Sequence, residues 1–190
     1  MASKEQLQSY LELPQVKAAL DTISWAEGGV GYNTLFGGGT FSGNQHPNTL
    51  VSAGGYHSTA AGRYQFLFST WIEIKNRLGL ADFSGPNQDI AAVDLIAHRS
   101  DSLDKLLAGD FEGMLHSLGC AWASLPFSGC GQSERSLSSV LNYYNSALAV
   151  YGGSQSAQNT GTAGSIGTIA GVSLPILLLG GIALFLLLDD

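Results

Sequence analysis

The chain has 190 residues, a length typical of one compact domain with a short additional segment. Its 15 acidic residues outnumber the 8 basic ones, and the net charge of −7 disfavours binding to the phosphate backbone of nucleic acids. Charged residues make up only 12% of the chain, about half the usual share of roughly 25%, so some segment must be almost free of charge.

The first residues predict a helix but no export signal. Residues 1–15 read MASKEQLQSYLELPQ and contain no apolar run like the core of a signal peptide. Pro14 suits the first turn of a helix, and an apolar stripe beginning at Val16 follows at helical spacing. Gly28 and Gly29 predict the end of this helix.

The stretch between Gly28 and Ser69 differs in character from the segments around it. Glycine clusters interspersed with threonine, tyrosine and phenylalanine predict short strands or a hairpin joined by long loops, a suitable wall for a cleft. The run from Gly37 to Thr40 lacks the lysine that follows the glycines of a phosphate-binding loop. A flexible turn is the better interpretation of this run.

Capping residues and apolar spacing predict five further helices. Their approximate ranges are 69–78, 84–98, 101–108, 110–123 and 137–151. The last of these is the clearest, because its apolar residues recur at i, i+3, i+4, i+7, i+11 and i+14 from Leu137 and form one continuous face.

Two segments after the last helix have a different composition. Residues 152–165 read GGSQSAQNTGTAGS, which cannot bury a core and is typical of a flexible linker. The 23 uncharged, mostly apolar residues from Ile166 to Leu188 would extend about 34 Å as a helix, enough to cross a hydrocarbon core of about 30 Å. We therefore predict a globular domain over 1–151, a linker, and one C-terminal transmembrane helix over 166–188, in preference to a buried core helix.

Glu27 is the residue that most strongly indicates chemistry. It lies on the same helical face as Val16, Leu20 and Ile23, so a carboxyl group ends an apolar stripe. Desolvation and the negative end of the helix dipole both favour the protonated form, which makes Glu27 a candidate general acid. The alternative is that the helix frays and Glu27 points into water.

Several short motifs occur in series. They are WAEG at 25–28, YNTLFGG at 32–38, His46-Pro47, STAAGRYQ at 58–65, LGLADFS at 78–84, NQD at 87–89 and WASLP at 122–126. Together they resemble the lambda-type phage endolysins, lytic transglycosylases with a lysozyme-like fold, over roughly residues 20–150. The resemblance implies a mainly helical α+β domain with a small β-hairpin, Glu27 as the catalytic acid, and glycan contact at Gln65. The family's enzymes cleave between N-acetylmuramic acid and N-acetylglucosamine and leave a 1,6-anhydromuramic end.

The distribution of acids bears on the mechanism. A glycosidase normally places two carboxylates about 5 to 9.5 Å apart across the bond, as acid plus base or nucleophile. No Asp or Glu occurs between Gly28 and Ile72, where a lysozyme would carry its second carboxylate. This favours a transglycosylase, in which Glu27 protonates the leaving oxygen and then accepts the proton of the muramic acid O6 hydroxyl as it closes onto C1. A muramidase is the alternative.

Other residues are assigned around Glu27. We expect glycan contacts from polar and aromatic side chains, namely Gln65, Tyr64, Ser58, Thr59, His46 and Trp122. For Arg63, a role in bracing the hairpin through a backbone carbonyl is as reasonable as a contact with the glycan. The four histidines show no metal-ligand spacing, so neither a metal nor another cofactor is expected. Cys120 and Cys130 are expected as free, partly buried thiols, because a chain made without a signal peptide starts in a reducing compartment, and a disulfide is the alternative.

The expected partners are the glycan strands of peptidoglycan and, through 166–188, a membrane. We expect the protein to be a component of a bacteriophage virion, held in an internal viral membrane beside other virion proteins and used for cell entry. A lysis enzyme of the host inner membrane is the alternative setting. A membrane-tethered peptidoglycan-binding protein without catalysis is the alternative function, and the presence of Glu27 argues against it.

Overall fold

A computed structural model of the chain describes residues 2–28 and 31–152. These residues form a mainly helical α+β domain with one small hairpin, as predicted. The helices are α1 (Lys4–Tyr10), α2 (Pro14–Ala26), α3 (Phe68–Leu78), α4 (Gly85–Ala97), α5 (Ser102–Leu107), α6 (Phe111–Leu118) and α7 (Leu137–Val150). Strands β1 (Val51–Ala53) and β2 (Tyr56–Ser58) pair antiparallel, with Val51 opposite Ser58.

Helix α1 is the element that the sequence analysis misses. Ser3 and Gln6 form a capping box, in which the Ser3 hydroxyl accepts the Gln6 N–H and the Gln6 side chain accepts the Ser3 N–H. That spacing is a recognisable signal for a helix start. The single turn of apolar spacing around Leu7, which is buried, gives too short a pattern to stand out.

Helix α2 follows the prediction closely. Pro14 occupies its first turn, and the stripe of Val16, Leu20 and Ile23 is buried. Glu27 is the capping residue at its C-terminal end, where its backbone N–H donates to the Ile23 carbonyl at 2.9 Å. The carboxyl group therefore has a fixed position at the end of a buried stripe.

The other helices agree with the predicted ranges, with one exception. Helices α3, α4, α5 and α7 begin and end within about one residue of them. Helix α6 ends at Leu118 rather than near Ala123, because Gly119 has a φ of +55° and turns the chain out of the helix. The residues that follow, 119–136, form an irregular segment that we call the cap loop.

The glycine run at 37–39 is a packed turn rather than a flexible one. Phe36–Gly38 form a 3₁₀ turn in which Gly37 has a φ of +77°. A Cβ atom at Gly37 would lie 2.8 Å from the Cβ of Ala53 in β1, so only glycine fits between the turn and the hairpin.

A single hydrophobic core holds the helices together. It extends from Leu7 in α1 to Leu148 in α7 and includes the fully buried rings of Trp71, Phe111 and Tyr144. The Phe111 and Tyr144 rings stack with their centroids 3.8 Å apart. Helices α2 and α7 pack along each other, which holds the C-terminal end of α2 close to the cap loop.

The expectation of free thiols is wrong, because Cys120 and Cys130 form a disulfide. The cap loop folds back on itself and brings their Cα atoms to 5.4 Å, within the usual range for a disulfide. The Glu134 carboxylate shapes this fold by accepting the N–H groups of Phe127 and Gly129. The argument from a reducing compartment fails here because it takes no account of the local geometry of the cap loop.

Within 2–28 and 31–152, no helix combines the length and apolar character needed to cross a membrane. The transmembrane helix predicted over 166–188 and nearly all of the linker predicted over 152–165 lie outside the described residues.

Candidate active site

A cavity opens beside the C-terminal end of α2, between the segment that leads into α3 and the start of the cap loop. Its wall is mostly apolar. The lining residues are Glu27, Ala60, Tyr64, Gln65, Phe66, Leu67, Thr70, Leu95, Arg99, Cys120, Ala121, Trp122 and Ala123. Among them Glu27 is the one carboxylate.

The Glu27 side chain is buried against this wall, with the residue only 3% exposed. The Ser124 hydroxyl donates a hydrogen bond to its Oε1. Burial raises the pKa of Glu27 to about 8, and the Ser124 hydrogen bond and the positive charge of Arg135 act in the opposite direction. The carboxyl is buried at the end of the apolar stripe as predicted, and the alternative of a frayed helix with Glu27 in water is wrong.

Three of the residues assigned to glycan contact line the cavity with Glu27. Gln65 adopts a left-handed backbone conformation with a φ of +49°, and its amide donates to the Gly62 carbonyl at 2.9 Å. The indole N–H of Trp122 donates to the Tyr64 carbonyl at 3.0 Å. The Tyr64 hydroxyl donates to Asp89 at 2.6 Å, and although Tyr64 lies in the cavity wall, the residue is fully buried.

The other three assigned residues are not in the cavity wall. The Ser58 hydroxyl accepts the Ala60 N–H at 3.0 Å, and the Thr59 hydroxyl accepts the Phe68 N–H at 3.3 Å. His46 is buried and bonds through Nε2 to the Phe66 carbonyl at 2.8 Å. These polar atoms are used inside the protein, where they hold the segment that faces Glu27.

Arg63 braces the fold through side chains rather than through a backbone carbonyl. Its guanidinium forms a salt bridge with Asp21, donates to the Tyr32 hydroxyl at 3.0 Å, and lies 3.7 Å from Asp89. Asp89 also accepts from the hydroxyls of Tyr32 and Tyr64. These five residues, which we call the Arg63 cluster, join α2 and α4 to the segments around 32 and 63.

Sequence reasoning missed two residues next to Glu27. Ser124 lies 97 positions from Glu27, and Arg135 lies still farther along the chain. Ser124 belongs to the WASLP motif, which located it in the right region without indicating its bond to the carboxyl.

No cluster of three or more His, Cys, Asp or Glu side chains suited to a metal ion occurs in the described part of the chain. The histidines have separate structural contacts: His46 is buried against the Phe66 carbonyl, and His116 stacks on Phe127 with ring centroids 3.7 Å apart.

Comparison with known proteins finds matches along most of the domain. The family profile described as Endolysin matches residues 17–151. The endolysin of Escherichia phage lambda is 35% identical over 144 residues, which cover 70% of this chain and 90% of that protein. The endolysin of Escherichia phage P2 is 39% identical over 104 residues, which cover 55% of this chain and 62% of that protein.

Solved structures match in fold as well. Bacteriophage lambda lysozyme in complex with a chitohexasaccharide gives a TM-score of 0.68 at 34% identity, covering 76% of this chain and 97% of that one. A second structure of the lysozyme from bacteriophage lambda gives a TM-score of 0.59 at 30% identity, covering 74% and 93%.

Proposed function

The chain belongs to the endolysin family, and we propose that it degrades peptidoglycan as a lytic transglycosylase. The bond cleaved would be the one between N-acetylmuramic acid and N-acetylglucosamine, with a 1,6-anhydromuramic end as product. One observation carries this proposal: a single buried, protonated carboxyl, that of Glu27, lies in the wall of the cavity without a second carboxylate among the lining residues.

In the proposed mechanism Glu27 acts twice. First its carboxyl proton passes to the glycosidic oxygen, and the bond from that oxygen to C1 of the muramic acid breaks. The O6 hydroxyl of the same sugar then attacks C1, and its proton returns to the Glu27 carboxylate. A pKa of about 8 suits this role, because the group is mostly protonated at neutral pH.

Intramolecular attack explains how one carboxylate can suffice. A hydrolase must activate a water molecule, usually with a second carboxylate on the other side of the bond. Here the nucleophile belongs to the substrate and is already close to C1, so proximity replaces the activated water. Two other carboxylates, Asp21 in α2 and Asp89 in α4, pair with Arg63 and do not line the cavity.

We propose that the cavity binds the glycan strand beside Glu27, with Gln65 and Trp122 in contact with sugar, while the fully buried Tyr64 supports the wall. The support is their common position in the wall, where an amide can hydrogen-bond sugar hydroxyls and aromatic faces can pack on sugar rings. That the related lambda lysozyme was solved with a chitohexasaccharide is consistent with this assignment.

Mass spectrometry of digested sacculi tests the reaction. Muropeptides with 1,6-anhydromuramic ends are the expected products. Reducing muramic acid ends would instead identify a muramidase, and binding without cleavage would identify a structural protein. Each outcome differs in product mass, because hydrolysis adds one water that the transglycosylase reaction does not.

We also propose that residues 166–188 anchor the protein in a membrane and that the protein is part of a virion used in cell entry. The support is the length and lack of charge of this segment. Purified virions provide the test. A lytic band at about 20 kDa in a peptidoglycan-containing gel, lost when the viral membrane is stripped, is expected. Absence from virions and abundance in infected-cell membranes would favour host lysis.

A further inference from the structure

The hydrogen bond between Ser124 and Glu27 distinguishes the two oxygens of the Glu27 carboxyl. The Ser124 hydroxyl has one proton, and it donates that proton to Glu27 Oε1. With Oε1 as the acceptor of this bond, Oε2 is the oxygen available to carry the acidic proton of the neutral carboxyl. Both side chains are buried, which removes competition from bulk water for this hydrogen bond.

Arg135 connects the two parts that make this contact. Its backbone N–H donates to the Ser124 carbonyl at 2.8 Å. Its side chain donates through Nε to the Ala26 carbonyl at 2.9 Å and through Nη2 to the Trp25 carbonyl at 3.1 Å. A single residue therefore ties the cap loop to the last turn of the helix that ends at Glu27.

The orientation of the Arg135 guanidinium is itself fixed. Its central carbon lies 4.2 Å from the centroid of the Trp25 ring, a cation–π contact. On α7, Tyr143 stacks on the same Trp25 ring with centroids 4.7 Å apart. The planar fork can satisfy two carbonyls at once, which a lysine ammonium on a flexible stem does less well.

We propose that Arg135 is a positioning residue that clamps Ser124 against Glu27, so that Oε1 is held by the serine and Oε2 presents the proton to the glycosidic oxygen. This inference rests on the proposed role of Glu27 as the general acid. Arg135 and Ser124 are not among the residues that line the cavity, and both act through the Glu27 carboxyl.

The same arrangement supports the second half of the reaction. After Glu27 has given up its proton, the Ser124 hydroxyl bonds to a full carboxylate, and the Arg135 charge lies near it. Both effects favour the charged form and oppose burial. Loss of either the Ser124 hydroxyl or the Arg135 charge should therefore raise the pKa of Glu27.

The test uses the full chain in detergent with five variants: Ser124→Ala, Ser124→Thr, Arg135→Ala, Arg135→Lys and the double variant Ser124→Ala/Arg135→Ala. For each, kcat, KM and the pH dependence of kcat/KM are measured on sacculi, together with the midpoint of thermal unfolding. Glu27→Gln is run beside them, because its inactivity tests the proposed general acid independently of the clamp.

For Ser124→Ala we expect kcat to fall about 10- to 100-fold, because the hydroxyl bonds to a charged carboxylate once Glu27 gives up its proton. KM should change little, and the alkaline limb of the pH profile should move to higher pH. Ser124→Thr, which keeps the hydroxyl, should restore most of the activity. Arg135→Ala should behave like Ser124→Ala, and the double variant should be no slower than the slower single variant, because both act through one contact.

Arg135→Lys separates the clamp from the charge. The clamp predicts a reduced kcat with an alkaline limb between those of the wild type and Arg135→Ala, since the charge is kept while one carbonyl bond is lost. This variant also keeps the test informative if Arg135→Ala does not fold. Wild-type kcat in Arg135→Lys, an unmoved pH limb in Ser124→Ala, or multiplying effects in the double variant would each overturn the proposal. An active Glu27→Gln would instead overturn the general acid itself.

Discussion

Two carboxylates, Asp21 within α2 and Glu27 at its C-terminal cap, lie six residues apart in opposite surroundings. Asp21 is paired with Arg63 and also accepts a hydrogen bond from the Tyr151 hydroxyl at 2.7 Å. Glu27 lies on a mostly apolar wall with a neutral serine hydroxyl as its side-chain partner. The negative charge of Asp21 is thus balanced by a salt bridge, whereas burial disfavours the charged form of Glu27.

An ion-paired carboxylate such as Asp21 stabilises the fold, whereas a buried carboxyl without an ion pair, such as Glu27, is available for proton transfer. The Arg63 cluster joins separate segments, and its charges neutralise one another at partly buried positions. At Glu27 burial without an ion pair raises the pKa, which is a cost to the folded state and a condition for proton transfer. Four measurements on three variants test this contrast.

The largest effect is expected for Glu27→Gln, which keeps the size of the side chain and removes its acidic proton. Lytic activity on sacculi should fall on the order of 10²- to 10⁴-fold, while the fold stays intact. Glu112→Gln, an exposed position on α6, is the matched control and should leave activity unchanged. Asp21→Asn is unsuitable as a control because of its salt bridge. More than about a tenth of wild-type turnover in Glu27→Gln would remove it as the general acid.

The same substitution should change how stability depends on pH. The pKa of Glu27 is about 8 in the folded state against an ordinary value of 4.5, so folding favours the protonated form. Its contribution is fully present below pH 4.5 and is lost as pH rises to about 8. Between pH 5 and pH 9 the wild type should lose stability relative to Glu27→Gln, on the order of a few kcal/mol. Urea unfolding at both pH values measures this, and parallel behaviour of the two proteins would contradict the buried carboxyl.

A moderate loss of stability is expected for Arg63→Ala, because it leaves Asp21 and Asp89 without their common cation. We expect about 2 kcal/mol, less than for a fully buried pair, since these side chains keep some contact with water. Lys17→Ala is the control, because its salt bridge to Glu12 is exposed and should contribute under about 0.5 kcal/mol. Equal effects in the two variants would mean that the Arg63 cluster is not structural.

The smallest effect is expected at the edge of that cluster. Tyr151→Phe removes the hydroxyl that donates to Asp21 and should lower the free energy of unfolding by about 0.5 to 1 kcal/mol. Tyr56→Phe in β2 provides a comparison without loss of that bond. A loss above about 2 kcal/mol in Tyr151→Phe would show that the end of α7 is more tightly coupled to Asp21 than one exposed hydrogen bond allows.

The sequence predicts those features that depend on neighbouring residues. Pro14, the stripe from Val16 and the glycines after Glu27 define α2, and the same stripe indicates that Glu27 is buried. Contacts between segments that are far apart in the chain cannot be predicted from the sequence in this way. Nothing local pairs Ser124 with Glu27, and Arg63 finds three side chains that a count along the chain does not bring together.

The disulfide also determines what survives a single break in the backbone. Phe127, with a φ of +64° and 41% exposed, lies inside the ring closed by Cys120 and Cys130, and exposed loop tips are preferred sites of proteolytic cleavage. A protease that cuts there produces two chain fragments that remain one covalent molecule. The fragment with Glu27 and Ser124 stays attached to the fragment with Arg135, and only a cut followed by reduction separates them.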